Sequence, residues 1–258
     1  MDPMLVALDV DGTLYDGRAV DPAAVAAIEA AVADGHVAVI VSGRPWHDLL
    51  QIIPEVLRST AIAVCEHGAV LVDVPTATVR HLAAPVDPRL PEIIERGLAE
   101  SRARSAADRP QRSATNTSGA QPGDGSAGLP GRDNDEMVVY EATIGLPATA
   151  RELAEAACAR VGGCYVVANK ESIAIVPNGC DKGTGLAHAI AHLGMSDRVL
   201  MAIGDATNDL PMFAMADVAV AVANAEPALA ATGIEVTRRA FGAGVAEALA
   251  RHALVSID

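Results

Sequence analysis

The stretch Leu8-Asp9-Val10-Asp11-Gly12-Thr13-Leu14 (LDVDGTL) decides how this chain is read. It follows the apolar run Met4–Leu8, which has the composition of a buried strand. Two aspartates two residues apart at such a strand end are costly unless they are paired, protonated or bound to a metal. A calcium loop of the EF-hand type does not fit. It needs Gly at the sixth position and Glu at the twelfth. Counted from Asp9, the Gly falls at the fourth and Leu14 holds the sixth.

Outward from that stretch the chain alternates. Asp21 and Pro22 form a helix start, a cap followed by Pro at the first helical position. Val25, Ile28 and Val32 repeat at helical spacing, and Gly35 closes the helix. Residues 36–41 (HVAVIV) read as a second apolar strand ending at SGRP, a helix is expected over 45–58, and a short strand over 61–65. This β-α-β-α-β order predicts a parallel sheet with helices on both faces. After residue 69, AVLVDV and TVRHL flank Pro75 as a hairpin, and residues 88–105 read as a helix. Between Ser105 and Asp135 the only large apolar side chain is Leu129, so that segment is expected to be a flexible insertion. Residues 137–145, a helix over 148–161, and the runs CYVVAN and SIAIVP predict a small, largely antiparallel α/β unit. The doubly wound pattern then resumes with a helix over 184–193, strands at 199–203 and 217–224, and a last helix near 244–253. The expected division is a core in two parts, 1–81 and 179–258, with a cap domain inserted at 82–178.

Composition narrows the function classes. The chain has 258 residues, 51% of them hydrophobic, enough for a sizeable core. A formal net charge of −14 argues against nucleic-acid or anionic-membrane partners, and 2% aromatics argue against a stacking surface for single strands. Cys65, Cys158, Cys164 and Cys180 form no zinc spacing and read as reduced thiols. The N-terminal apolar run is short and Asp9 interrupts it, and no stretch approaches the roughly 18 apolar residues of a membrane span. A cytoplasmic monomer or homodimer is expected.

In open α/β sheets, ligands bind at the carboxyl ends of the strands. Those ends carry Asp9, Asp11 and Thr13, then Ser42, Gly43 and Arg44, then Asp205, Asn208 and Asp209, with Lys182 ahead of the helix that feeds the last strand. Four carboxylates, a hydroxyl, an amide and one lysine describe a Mg²⁺ site with a phosphate beside it. Asp9 and Asp205 can supply two metal ligands, and Lys182 can neutralise phosphoryl charge. Ser42 and nearby backbone N–H groups can donate to the non-bridging oxygens. An aspartate held in line could attack phosphorus, and a second carboxyl could protonate the leaving oxygen and then deprotonate a water. NGCDKGTG is not an NTPase P-loop, because Asp181 and Gly183 stand where Gly and Ser or Thr are required around the Lys. The seven histidines form no ligand set. Met201 and Met212 read as core fillers.

DVDGTL, SGR, DKG and GDATNDLPMF, in that order, closely resemble the four motifs of haloacid-dehalogenase-like (HAD) phosphatases. The later part is similar to the Cof-like branch, which includes sugar-phosphate, sucrose-phosphate and archaeal phosphoglycolate phosphatases. The resemblance spans about residues 1–80 and 175–250. It implies a Mg²⁺-dependent hydrolysis of a small phosphorylated metabolite through an aspartyl-phosphate. Asp9 would be nucleophile and metal ligand. Asp11 would be general acid/base, with its backbone carbonyl on the metal. Ser42, with Gly43 backbone, Lys182 and Asn208 would hold phosphate. Asp205 would bind Mg²⁺ directly, and Asp209 would act through water or orient Lys182. The insertion would be a cap that closes over the site. Arg44, which could instead brace its loop by ion pairing, and Lys170, at a turn between two cap strands, are candidate substrate-specificity residues. His67 stands where many relatives carry Asn, which leaves that contact open. A phosphomutase on the same core, or a non-catalytic phosphometabolite-binding protein, is the alternative.

Overall fold

The computed structural model describes residues 3–107, 137–169 and 172–253. From residue 108 onward, the segment expected to be a flexible insertion lies outside the described residues, as does Lys170. The chain first forms β1 (Leu5–Leu8), α1 (Pro22–Ala33), β2 (Val37–Val41), α2 (Trp46–Ile52), α3 (Pro54–Leu57) and β3 (Thr60–Cys65), then the hairpin β4 (Val70–Asp73) and β5 (Thr78–His81). Next come α4 (Leu90–Ala107), β6 (Val138–Val139), β7 (Ile144–Pro147), α5 (Arg151–Val161), β8 (Cys164–Asn169) and β9 (Ser172–Pro177). The chain then returns through α6 (Lys182–Leu193), β10 (Leu200–Gly204), α7 (Leu210–Phe213), β11 (Val218–Ala221), α8 (Pro227–Ala230), β12 (Glu235–Val236) and α9 (Phe241–His252).

These strands form two sheets. The larger has eight strands in the order β12-β11-β10-β1-β2-β3-β4-β5, parallel from β12 to β3, with the β4–β5 hairpin antiparallel at one edge. Its central strands β10, β1 and β2 are apolar throughout because both faces are covered. Val6 and Leu8 face one core with Ile28 of α1 and Val245 of α9, while Leu5 and Ala7 face another with Leu186 of α6 and Met212 of α7. This is the expected doubly wound α/β sheet. From β1 the chain winds outward to β3, and from β10 it winds the opposite way, so the order reverses between β1 and β10. A crevice opens at such a reversal, and ligands bind there.

The inserted unit carries the second sheet, in the order β6-β7-β9-β8, antiparallel throughout. One face packs on α4 and α5 through Ile144, Ile173, Ile175, Leu90 and Ile94. Alternate residues of β9, Ala174 and Val176, join the core of the large sheet instead.

Three local readings need correction. The helix expected over 45–58 breaks at Ile53, because Pro54 has no N–H to continue α2 and opens α3. The helix expected from 184 begins at Lys182, because Asp181 and Thr184 form a capping box before it. Residues 137–145 are not one run: β6 and β7 are separated by a turn whose amides bind a side chain of the large-sheet unit. The short elements α7, α8 and β12 carry too few residues for a periodic signal.

Candidate active site

Register places the acidic groups. Leu8 pairs with Ile203, and Asp9 N–H donates to the Ile203 carbonyl at 3.0 Å, which sets the ends of β1 and β10 side by side. Asp9 and Asp205 emerge there, both buried, and Thr13 Oγ1 donates to Asp205 Oδ1 at 3.3 Å. The capping box on Asp181 fixes the first turn of α6, whose first residue is Lys182. Its ammonium donates to Asp9 Oδ1 at 2.7 Å, to Asp209 Oδ1 at 2.5 Å, and to Asn208 Oδ1 at 3.4 Å. The other oxygen of Asp209 accepts from the backbone N–H groups of Asp205 and Ala206 at 2.9 and 3.0 Å. Gly204 is required for this, since a Cβ there would overlap Asp209 Oδ2.

Three carboxylates and one ammonium are thus buried together. Burial and the neighbouring Asp209 push Asp9 up to about 6, against the pull of Lys182. Burial alone would lower Lys182, but Asp209 and Asp9 outweigh it and raise it. One oxygen from each of Asp9, Asp205 and Asp209 lies within 4.8 Å of the others. Buried hard oxygens so close fit a small divalent cation, which would relieve the charge that one lysine leaves uncompensated. Asp209 already serves three donors through its two oxygens, so its position suits orienting Lys182.

Asp11 lies beside this cluster and is more exposed. Arg44 forks onto it, Nε to Oδ2 at 2.7 Å and Nη2 to Oδ1 at 2.5 Å, and sits 3.6 Å from Asp48 and 5.9 Å above the Tyr15 ring. Arg44 therefore braces Asp11. Ser42 is buried, and its Oγ accepts from Arg44 N–H at 3.1 Å. Gly43 lies under the His67 ring, where a Cβ would come 2.5 Å from Nε2. His67 is buried, and burial together with Lys182 lowers it to about 3, so its ring is neutral. A cavity of about 400 Å³ is lined by His67, Lys182, Thr207 and Asn208 on one side and by Tyr165 to Ala168 of β8 on the other.

The structure brings Asp9, Asp205, Asp209, Lys182 and Asn208 together as one cluster, with Asp11, Ser42, Gly43 and Arg44 along its rim. Asn224, Tyr165 and Glu66 escaped the sequence reading. Asn224 donates to the Gly12 carbonyl at 2.7 Å and accepts from Phe241 N–H, which ties the Asp11 loop to α9. Tyr165 donates to the Cys180 carbonyl at 2.5 Å. Glu66 and His67 are both left-handed, with φ of 51° and 55°. Each such non-glycine residue costs about 1 kcal/mol or more, a cost usually met at functional positions. Only an unusual polar pair after an apolar strand could have pointed to Glu66.

A family model described as haloacid dehalogenase-like hydrolase matches residues 6–86 and 132–249. A phosphoglycolate phosphatase of Methanothrix thermoacetophila is 40% identical over 76 residues, 30% of this chain and 34% of that protein. The chain thus aligns with about a third of the length of the curated relative. Among solved structures, a haloacid dehalogenase-like hydrolase from Bacteroides thetaiotaomicron superposes with a TM-score of 0.71 at 20% identity, covering 97% of this chain and 99% of that one. The subclass IIB sugar phosphatase BT4131 gives 0.65 at 17% identity, covering 96% and 98%. With the doubly wound sheet, the inserted second sheet and the acidic cluster at the β1–β10 reversal all in place, the matched residues assign this chain to the haloacid dehalogenase-like hydrolase family.

Proposed function

We propose that the chain is a Mg²⁺-dependent phosphatase of a small phosphorylated metabolite, acting through an aspartyl-phosphate on Asp9. The observation that carries this reading is Lys182 bridging Asp9 and Asp209 inside a ring of buried carboxylates. A phosphoryl dianion approaching Asp9 meets repulsion from every neighbouring acid, so the attack depends on cationic compensation. Asp9 and Asp205 would hold the metal, with Asp209 behind them. Bound Mg²⁺ supplies Lewis-acid neutralisation of the phosphoryl oxygens.

The chain's own groups do the rest. Lys182 fixes the reacting oxygen of Asp9 and offsets the charge developing on phosphorus. Ser42, Gly43 backbone and Asn208 hold the non-bridging oxygens. Asp11, oriented by Arg44, gives a proton to the leaving oxygen and later takes one from water. Asp9 carries the phosphoryl group between those two steps. The inserted unit acts as a cap, with β8 as the wall facing the leaving group. The curated relative is a phosphoglycolate phosphatase and one structural neighbour a sugar phosphatase. We place the substrate in that range of small phosphate monoesters, with no nucleic acid and no membrane as partner. No helix among the described residues is long and apolar enough to cross a membrane.

The test is release of inorganic phosphate from para-nitrophenyl phosphate and then from a panel of phosphorylated metabolites, with and without Mg²⁺. Free phosphate only with Mg²⁺ supports the reading. Isomerised phosphorylated product without free phosphate would make the protein a phosphomutase. Binding without turnover would make it a phosphometabolite-binding protein.

A further inference from the structure

Glu66 is a buried carboxylate that the proposed chemistry leaves unused. It follows β3 in the large-sheet unit, yet its carboxylate accepts from four donors that all lie in the inserted unit. Its Oε1 accepts from Glu141 N–H at 3.2 Å. Its Oε2 accepts from Ala142 N–H at 2.8 Å, from Thr143 N–H at 3.0 Å and from Thr143 Oγ1 at 3.0 Å. Both Glu66 and Thr143 are 1% exposed. Within the inserted unit the same turn is held by Val86 N–H, which donates to the Ala142 carbonyl at 3.1 Å.

That turn leads directly into the pocket wall. Ile144 of β7 pairs with Ile175 of β9, which pairs with Val166 of β8. Val166 lines the cavity opposite Lys182 and Asn208. One rung of the second sheet, two strand spacings or about 10 Å wide, therefore runs from the Glu66 anchor to the leaving-group wall. On the other side Glu66 is bonded to His67, which packs on Gly43 and lines the same cavity. Gly68, with φ of 94°, lets the chain pass so close to the Asp181 carbonyl that a Cβ would overlap it, one residue from Lys182.

We propose that Glu66 is a positioning residue that latches the inserted unit to the phosphate-binding loops and thereby sets the width of the substrate pocket. Its carboxylate and the 66–68 turn hold three parts in one register: the β6–β7 turn, the His67 wall and the start of α6. The catalytic consequence rests on the phosphatase reading above, whereas the latch itself does not.

Glu66→Gln tests both. The variant keeps the shape and one acceptor oxygen but loses the charge and puts an NH₂ opposite a backbone donor at the other position, so the hold on the turn is weakened without a cavity. Hydrogen exchange of the amides of 141–143 should speed up at least about tenfold while the β9 amides keep their protection. In Mg²⁺-dependent hydrolysis of para-nitrophenyl phosphate, KM should rise about fivefold or more with kcat within about twofold, because wall contacts change and the reacting groups do not. Should Glu66→Gln fail to fold, Thr143→Val removes one hydroxyl donor and should move both readouts in the same direction by less. Unchanged exchange at 141–143 would overturn the latch. Faster exchange with KM and kcat both unchanged would overturn the positioning role. If the wild type hydrolyses nothing, the phosphatase reading fails and the exchange data still decide the latch.

Discussion

Two buried carboxylates, Asp9 and Glu66, follow strands two places apart in the large sheet and are neutralised in opposite ways. The carboxylate of Asp9, just past β1, meets one ammonium and two further carboxylates. Glu66, just past β3, meets backbone N–H groups and one hydroxyl. The first arrangement leaves excess negative charge in a low-dielectric place, which is useful only where a cation and an anion come and go. The second is a closed hydrogen-bonded set with nothing left to bind, which suits holding two units together. Burial of an acid therefore does not by itself mark a reactive group. The chemistry of its partners does.

The difference can be broken at several points. The largest effect is expected from Asp9→Asn, which should lower phosphate release more than about a thousandfold, the scale seen when a covalent nucleophile is lost. Its thermal unfolding should remain cooperative. Normal turnover would remove Asp9 from the reaction. Lys182→Met leaves Asp9 and Asp209 buried without their ammonium, and urea unfolding should show a loss of about 3–5 kcal/mol, as for one partner stripped from a buried ion pair. An unchanged midpoint would mean that the acids are neutralised by other means.

His67 gives a pH-dependent test. Burial and Lys182 hold it near 3, against an ordinary value of 6.5. The unfolded chain therefore binds the extra proton first as pH falls below about 6.5. The stability due to the neutral ring is complete above that pH and is lost as pH falls toward 3. Between pH 7.5 and 5 the wild type should lose about 2 kcal/mol more than His67→Asn, measured by denaturant unfolding at both pH values. Parallel losses would show that the ring is not held neutral. Smallest is Thr143→Val on the Glu66 side. It deletes one of four donors and should cost only about 1–2 kcal/mol in the same assay. A loss matching Lys182→Met would erase the contrast between the two carboxylates.

Much of this was legible before any coordinates. The alternation of apolar strands and capped helices announced the doubly wound sheet, because buried parallel strands must be continuously apolar. Asp9, Lys182, Asp205 and Asp209 could be grouped because strand ends of one sheet share one edge and because their partners are side chains. Asp21 as a cap was equally plain, and it accepts from Ala23 N–H at 2.8 Å. What was hidden depends on partners that carry no residue signature. Glu66 binds backbone amides 75 to 77 positions away, and any sequence offers those amides. Asn224 binds a glycine carbonyl for the same reason. Arg44 could be read as touching substrate or bracing its loop, and only the fold shows its guanidinium aligned on Asp11.

The central claim is that the group at the end of β1 takes the phosphoryl group covalently. The direct measurement is mass analysis of protein quenched in acid during turnover of para-nitrophenyl phosphate with Mg²⁺. The account predicts a phosphate on the peptide containing Asp9, stable in acid, released by hydroxylamine, and absent from Asp9→Asn. Steady phosphate release with no modified peptide, undiminished in Asp9→Asn, would contradict it.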